Sequence, residues 1–355
     1  MTGLITPERG SLVLRSSGRV PVSGRFHVRT VLVCAALLLA TAAVTFAALL
    51  LGAVVHTPAE VVRALAGDAP PSVELFVVQW RLPRALAAVV FGALLGVAGA
   101  LFQSITRNPL GSPDIIGFTA GSSAGGVAVL AFVGSSYLLV AAGALTGGLV
   151  VAAIVLLLSR GGGVAGFRLV IVGIGLSAML TSLETWVVLT ADIEQAQIAA
   201  LWGAGSLNAV SFGYTGPAMV IGLVALIVTG VLLDRRLTLL ELGEDVSASL
   251  GSDPGRTRLA AVLAGVVLVA VVTAAAGPIS FVALAAPHVG RRLAGATGVC
   301  LAPAACTGAL MLASADLAAQ HAIPGHSFPV GVATVAVGGL YLVTLLIREN
   351  RKGAL

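Results

Sequence analysis

The chain has little charge. Its 355 residues carry 20 Lys and Arg and 15 Asp and Glu, 10% in all, against roughly 25% in an average soluble domain. Lysine occurs once, as Lys352, and Gly353 follows it. A phosphate-cradling P-loop needs a Lys before Ser or Thr, so no such nucleotide site exists in this chain, and any dependence on ATP must enter through a partner. Only three cysteines are present, Cys34, Cys300 and Cys306, all inside apolar runs and without metal-type spacing. Cys300 and Cys306 on one helix would stand about 9 Å apart, too far for a disulfide. They read as small packing residues. The net charge of +5 suggests nucleic acid only superficially, because the basic residues punctuate apolar runs instead of clustering.

Apolar residues are what the chain has in excess, at 58%. A soluble fold has too little interior for them, which removes soluble enzymes and DNA-binding modules. The runs are continuous, not alternating, which removes a transmembrane β-barrel. A spanning helix takes about 20 residues, so about ten spans are available. They lie near 30–55, 85–106, 115–134, 137–158, 169–190, 212–233, 259–276, 278–290, 299–320 and 328–347. The first run exceeds the apolar core of a signal peptide and shows no clear cleavage site, so it reads as a retained helix. The eighth is short and holds Pro278 and Pro287, which suits either a crossing or a re-entrant loop. Charge decides between them. With the N-tail inside and ten crossings, seventeen of the twenty Lys and Arg fall inside, leaving Arg63, Arg81 and Arg84 outside. Without the eighth crossing, Arg291, Arg292 and the basic C-terminal tail move outside. The expectation is an all-α bundle of about ten transmembrane helices with both termini cytoplasmic.

Glycine is abundant, at 44 residues. Gly92/Gly96 and Gly121/Gly125 are small-xxx-small pairs that let helices approach closely. Runs three and ten (Gly117–Gly126 and Gly331–Gly339) are small enough for tight packing or for lining a cavity. Glu184 and Asp316 are the acids inside the runs, toward their outer ends, and are candidates for a path or gate. A proton-coupled secondary transporter would place ionisable groups near the midplane at broken helices. Here His27, His56, His321 and His326 fall in tails or outer loops, and His288 falls at the cytoplasmic end of run eight.

Two segments outside the runs stand out. Trp80-Arg81-Leu82-Pro83-Arg84 puts two of the three external cations at the mouth of the second span, either as interfacial anchors or as a docking point for an acidic partner. The longest cytoplasmic connection, 234–258, repeats Leu239, Leu242, Val246 and Leu250 along one helical face, with Gly243 and Gly251 bounding its core. It suits a helix on the membrane surface or one in a partner's groove.

These motifs follow one another in a recognisable order: Arg81-Leu82-Pro83-Arg84, the Gly-rich 92–100, then Arg107-Asn108-Pro109-Leu110-Gly111-Ser112-Pro113-Asp114. Leu242-Gly243-Glu244 with Leu250-Gly251 comes next, followed by Gly277-Pro278-Ile279-Ser280-Phe281, Ala286-Pro287-His288, Ala315-Asp316-Leu317 and Pro329-Val330-Gly331. From about 30 to 350 the chain resembles the FecCD/BtuC-type permeases of ABC importers for iron-siderophores, haem and cobalamin. Residues 107–118, 202–207 and 315–320 are similar to the ferric-enterobactin branch.

The resemblance implies the type II importer architecture. It divides the chain into a basic cytoplasmic tail (1–29), a permease domain (30–350) and a C-terminal tail (351–355). It implies a second permease subunit, a different homologous chain, with two cytoplasmic ATPases that bind ATP and Mg. An extracytoplasmic binding protein would deliver a ferric siderophore, with iron held only in the chelate and no cofactor in this chain. Arg81 and Arg84 match the family's docking arginines. Leu242, Gly243, Glu244, Ala248, Leu250 and Gly251, with Arg107, Asn108 and Pro109, match its ATPase-coupling contacts. Gln320 stands where cobalamin-type relatives carry a further arginine, and Ser327-Phe328-Pro329 replaces an acidic-Leu-Pro opening, which moves the expectation away from cobalamin. The site expected is the plasma membrane, with nucleic acid excluded.

Overall fold

A computed structural model describes residues 4–8, 11–15, 23–52, 54–158, 165–323 and 327–353; Arg9, Arg19, Arg160 and His326, used above for topology, lie outside them. The bundle is helical, as expected. The tail adds three short strands, β1 (Leu4–Glu8), β2 (Ser11–Arg15) and β3 (Ser23–His27), in an antiparallel meander with Glu8 opposite Ser11 and Ser11 opposite His27. Ile5, Thr6 and Val13 are strand formers on either side of a two-residue link, a pattern that composition read as a charged tail conceals.

Helix α1 (Val28–Leu50) leads to an outer cap. Its α2 (Pro58–Leu65) starts with a capping box: Glu60 N–H donates to Thr57 Oγ1 at 3.3 Å, and Thr57 N–H donates to Glu60 Oε2 at 2.8 Å. Then α3 (Pro71–Glu74), a π-helical stretch (Leu75–Arg81) and α4 (Leu82–Thr106) run on as one 36-residue rod. That is well beyond the roughly 20 residues a bilayer needs. Its first turns pack with the end of α1 and with α2 around Leu49, Val61, Ala64 and Val77. The segment expected as a loop before the second span is therefore a folded cap.

The remaining helices are α5 (Phe118–Phe132), α6 (Tyr137–Leu158), α7 (Ala165–Thr190), α8 (Ile193–Gly203) and α9 (Phe212–Glu241). They are followed by α10 (Glu244–Ser249), α11 (Pro254–Ala276), α12 (Val282–Ala294), α13 (Leu301–His321) and α14 (Val330–Gly353). Among the described residues seven helices have the length and hydropathy to cross a membrane, and 118–132 and 330–341 are shorter apolar helices. At 1.5 Å per residue α5 and α12 reach only about 22 and 20 Å, short of the roughly 30 Å hydrocarbon core. The bounds of the eighth run are corrected. Its helix starts at Val282, because Gly277 ends α11 at φ 72° and Pro278 brings no N–H to continue it.

Helix α4 is the central pillar. Within its most apolar stretch 83% of residues are buried, against 11% in α1 and in 168–190. Glycine is the reason. A Cβ at Gly92 would strike the Gly308 carbonyl, one at Gly96 the Ala304 carbonyl of α13, and one at Gly99 the Ala283 carbonyl of α12. Gly121 and Gly125 of α5 meet Gly147 and Gly143 of α6 in the same way. Backbones in contact gain dispersion over their whole length, where the hydrophobic effect contributes nothing between helices in lipid.

Gly308→Val should lower the thermal midpoint of the detergent-solubilised chain, at about 1–3 kcal/mol for overpacking. Gly175→Ala, whose Cβ meets nothing within 4 Å, should leave it unchanged. Equal midpoints in both variants would refute the α4–α13 contact.

Candidate coupling and gating sites

On the side that charge assigns to the cytoplasm, α4 ends at Arg107, whose left-handed backbone (φ 49°) reverses the chain. Asn108 Oδ1 accepts the Leu110 N–H at 2.9 Å and the Asn108 carbonyl accepts the Gly111 N–H at 2.9 Å, which makes a compact turn. Arg107, Asn108 and Pro109 lie exposed on it. Arg107 Nη2 donates to the Leu240 carbonyl at 3.4 Å, joining the turn to a residue 133 positions away. A cavity of about 320 Å³ lined by Arg107, Asn108, Glu241, Pro287 and Arg291 lies between them. Two segments matched separately to ATPase coupling therefore share one face.

The expected single helix through Leu239, Leu242, Val246 and Leu250 is corrected. Helix α9 continues to Glu241 and takes Leu239 and Leu240 with it. Gly243 (φ 111°) then breaks the chain, and α10 spans six residues before Gly251 (φ 82°). A left-handed or extended glycine cannot stay in a helix, so the apolar periodicity runs across a corner. Leu242, Val246 and Leu250 are nonetheless 59%, 45% and 57% exposed, Ala248 is exposed beside them, and Ser247 faces inward. Glu244 is ion-paired to Arg258, which pins α10 to the start of α11. Exposed apolar side chains gathered on a water-facing corner mark a contact surface.

Two of the three outer arginines, Arg81 and Arg84, are turned inward, while Arg63 is exposed. Arg81 donates from Nη1 to the carbonyls of Leu49 (2.8 Å) and Leu50 (3.2 Å), and from Nη2 to that of Val54 (2.6 Å), satisfying the end of α1. Arg84 makes a forked pair with Asp316, Nε to Oδ2 at 3.0 Å and Nη2 to Oδ1 at 2.8 Å, and the two side chains are only 15% and 3% exposed. Gln320 Nε2 completes the group with a 2.8 Å bond to Asp316 Oδ2. So Arg84, expected at a docking rim, and Asp316, expected at a path or gate, are partners that tie α4 to α13. Sequence could not pair them, since 232 positions separate the two. Glu184, on α7, reaches Ser123 of α5, and its Oε1 is buried without a hydrogen-bond partner among the described residues.

One further group escaped the sequence reading. Asp114 stands just before the third apolar run and so was not counted among the intramembrane acids. Its Oδ1 accepts the Thr119 hydroxyl at 2.6 Å and its Oδ2 accepts the Phe281 N–H at 3.1 Å. These are the opening residues of α5 and α12, so one carboxylate sits between two helix N-termini, where negative charge is favoured. Phe281 is left-handed (φ 69°), which costs a bulky residue about 1–3 kcal/mol. The signal available in sequence was a Gly and a Pro at the opening of each of these two runs, Gly111 with Pro113 and Gly277 with Pro278.

These features define a class: a multispan helical membrane protein with broken helices inside and exposed apolar side chains on the face that charge assigns to the cytoplasm. Residues 37–348 match the FecCD transport family, and the chain belongs to it. It is 46% identical over 301 residues to the ferric enterobactin transport system permease protein FepG of Escherichia coli (strain K12), covering 85% of this chain and 91% of that protein. It is 36% identical over 341 residues to the ferric enterobactin transport system permease protein FepD of the same strain, covering 94% and 100%. A solved metal-chelate-type ABC transporter in an inward-facing conformation superposes with a TM-score of 0.77 at 27% identity, covering 90% of this chain and 99% of that one.

Asp316→Ala should destabilise the protein by about 3–5 kcal/mol, because it leaves Arg84 buried and unpaired. The double variant Arg84→Met with Asp316→Ala should recover part of that loss in detergent unfolding. Additive losses would refute the pairing.

Proposed function

We propose that this chain is the permease subunit of an ATP-binding-cassette importer that moves a ferric siderophore across the plasma membrane. The observation that carries the reading is the exposed apolar corner Leu242, Val246, Ala248 and Leu250, which follows directly on the end of α9 that Arg107 holds, in a FecCD chain without a P-loop. Force for transport then enters through that corner from a separate ATPase pair, which binds the ATP and Mg. The likeness to both FepG and FepD supports a second, different permease subunit across a two-subunit path. The charge pattern supports ten crossings with cytoplasmic termini in this chain, with α5, α12 and α14 completing the count. Siderophore chemistry follows from the same relatives, with iron as cargo inside the chelate. The chain itself performs no catalysis.

Docking of the external binding protein rests on Arg81, not Arg84. Arg84 is neutralised by Asp316, whereas among the described residues Arg81 bonds to carbonyls, which leave its net charge beside the folded cap α2–α3. Glu184 is retained as a path residue on α7.

The test is reconstitution with the cognate ATPase, the second permease and the binding protein. Uptake of ferric enterobactin should require ATP, and uptake driven by a proton gradient alone refutes the reading. Ala248→Trp should cut ATPase co-purification about tenfold, as the loss of one well-packed interface anchor does. A helix merely lying on lipid would tolerate the larger apolar side chain. Full retention with normal transport removes the coupling role from this corner. Arg81→Glu should slow capture of the binding protein and reduce its salt dependence while the ATPase stays attached.

A further inference from the structure

The geometry points to Asp114 as the positioning residue that carries movement of the cytoplasmic 107–113 turn into the bundle, through the backbone of Phe281, to α14. The inference rests on the permease reading above and specifies where force goes after it enters.

The chain of contacts is continuous. The turn that holds Arg107, Asn108 and Pro109 runs without a helix into Ser112-Pro113-Asp114. The Ser112 and Pro113 carbonyls accept the N–H groups of Ile116 and Phe118 at 3.1 and 3.0 Å, so 112–118 moves as a unit. The Asp114 carboxylate then holds both Thr119 of α5 and the Phe281 N–H. Phe281 opens α12, its carbonyl accepting the N–H groups of Leu284 and Ala285 at 3.1 and 2.9 Å. Its ring lies on Gly338 of α14, where a Cβ would strike ring atoms. A small void bounded by Phe281, Met311, Thr334 and Val337 adjoins the ring, and space on one side of a packed ring lets it take a second position without overpacking its neighbours.

Three features separate this from ordinary packing. Both short helices, α5 and α12, have their N-terminal ends on one carboxylate, so displacing Asp114 acts on two elements at once. Phe281 is held in a left-handed conformation, the kind of strain that persists only where surrounding bonds over-determine it. The Phe281 N–H has Asp114 as its acceptor, so the bond is the direct polar link between the coupling turn and α12.

The experiment uses the assembled importer with spin labels at two exposed positions, Leu110 on the turn and Leu340 on α14, each read as a distance to its equivalent or to a fixed label on the ATPase. In the wild type, trapping with ATP and vanadate should shift both distances. In Asp114→Ala the shift at position 110 should persist and that at 340 should vanish, and ferric enterobactin moved per ATP hydrolysed should fall about tenfold, within the range seen for residues that modulate coupling. Asp114→Asn should restore both to within about twofold, since its carboxamide accepts from Phe281 N–H and donates to the Thr119 hydroxyl. Should Asp114→Ala fail to assemble, Phe281→Ala carries the same test, because it keeps the amide bonded to Asp114 and removes the ring from Gly338. Persistence of both shifts in Asp114→Ala, or in Phe281→Ala where that stands in, overturns the relay alone. A wild-type complex in which nucleotide moves neither label overturns the permease reading, and the relay with it.

Discussion

Inside hydrocarbon no water is available to a backbone N–H or carbonyl, so every break in a helix must find its partner within the protein. That constraint governs this structure. The breaks cluster where α8, α11, α12 and α14 meet, and three of the backbone groups they free find partners across the junction. Ser206 N–H bonds the Ala276 carbonyl at 2.7 Å, Gly331 N–H the Gly205 carbonyl at 2.9 Å, and Phe281 N–H the Asp114 carboxylate. Short helices are affordable only because these segments close on one another. Glycine makes the closure geometrically feasible, since Gly277 and Gly205 let two irregular segments lie backbone against backbone.

Around that junction the long helices form a frame set by approach distance. Helix α4 meets α13 and α12 through Gly92, Gly96 and Gly99, and α5 meets α6 through paired glycines. The frame is then locked at its outer end by a charge. Arg84 and Asp316 are expensive to bury separately and cheap only together, so the pair fixes the register of α4 on α13. At the inner end the Glu244–Arg258 pair is instead partly open to its surroundings, the side chains 52% and 27% exposed. There the chain leaves apolar side chains exposed, and a cavity of mixed lining opens between the 107–109 turn and Glu241, an arrangement that makes sense when another protein completes it.

Frame and exposed corner together fit the proposal that a separate ATPase drives this chain. The 107–111 turn and the end of α9 are joined by Arg107, and the turn continues into the interior junction without an intervening helix. Mechanical continuity from a solvent-facing surface to a set of broken helices is the property that separates this arrangement from a static bundle.

Much of this was legible in the sequence. Continuous apolar runs and scarce charge fixed a helical membrane protein, because no soluble interior holds so much apolar surface. The glycine spacing announced close contacts that the structure contains, and the ordered motifs announced the family. Periodicity failed at 239–250, since a heptad-like count cannot see that Gly243 turns the chain. Hydropathy also misplaced the eighth run at 278–290, because Gly277 and Pro278 delay its helix to Val282. Tertiary structure alone decided the charges. Arg84 looked like a docking cation and Asp316 like a gate because each was read against its own neighbours along the chain. Whether a charge is free or spent depends on what folding brings within about 3 Å of it, and pairs such as Arg84–Asp316 and Asp114–Phe281 are set by the packing of helices far apart in sequence.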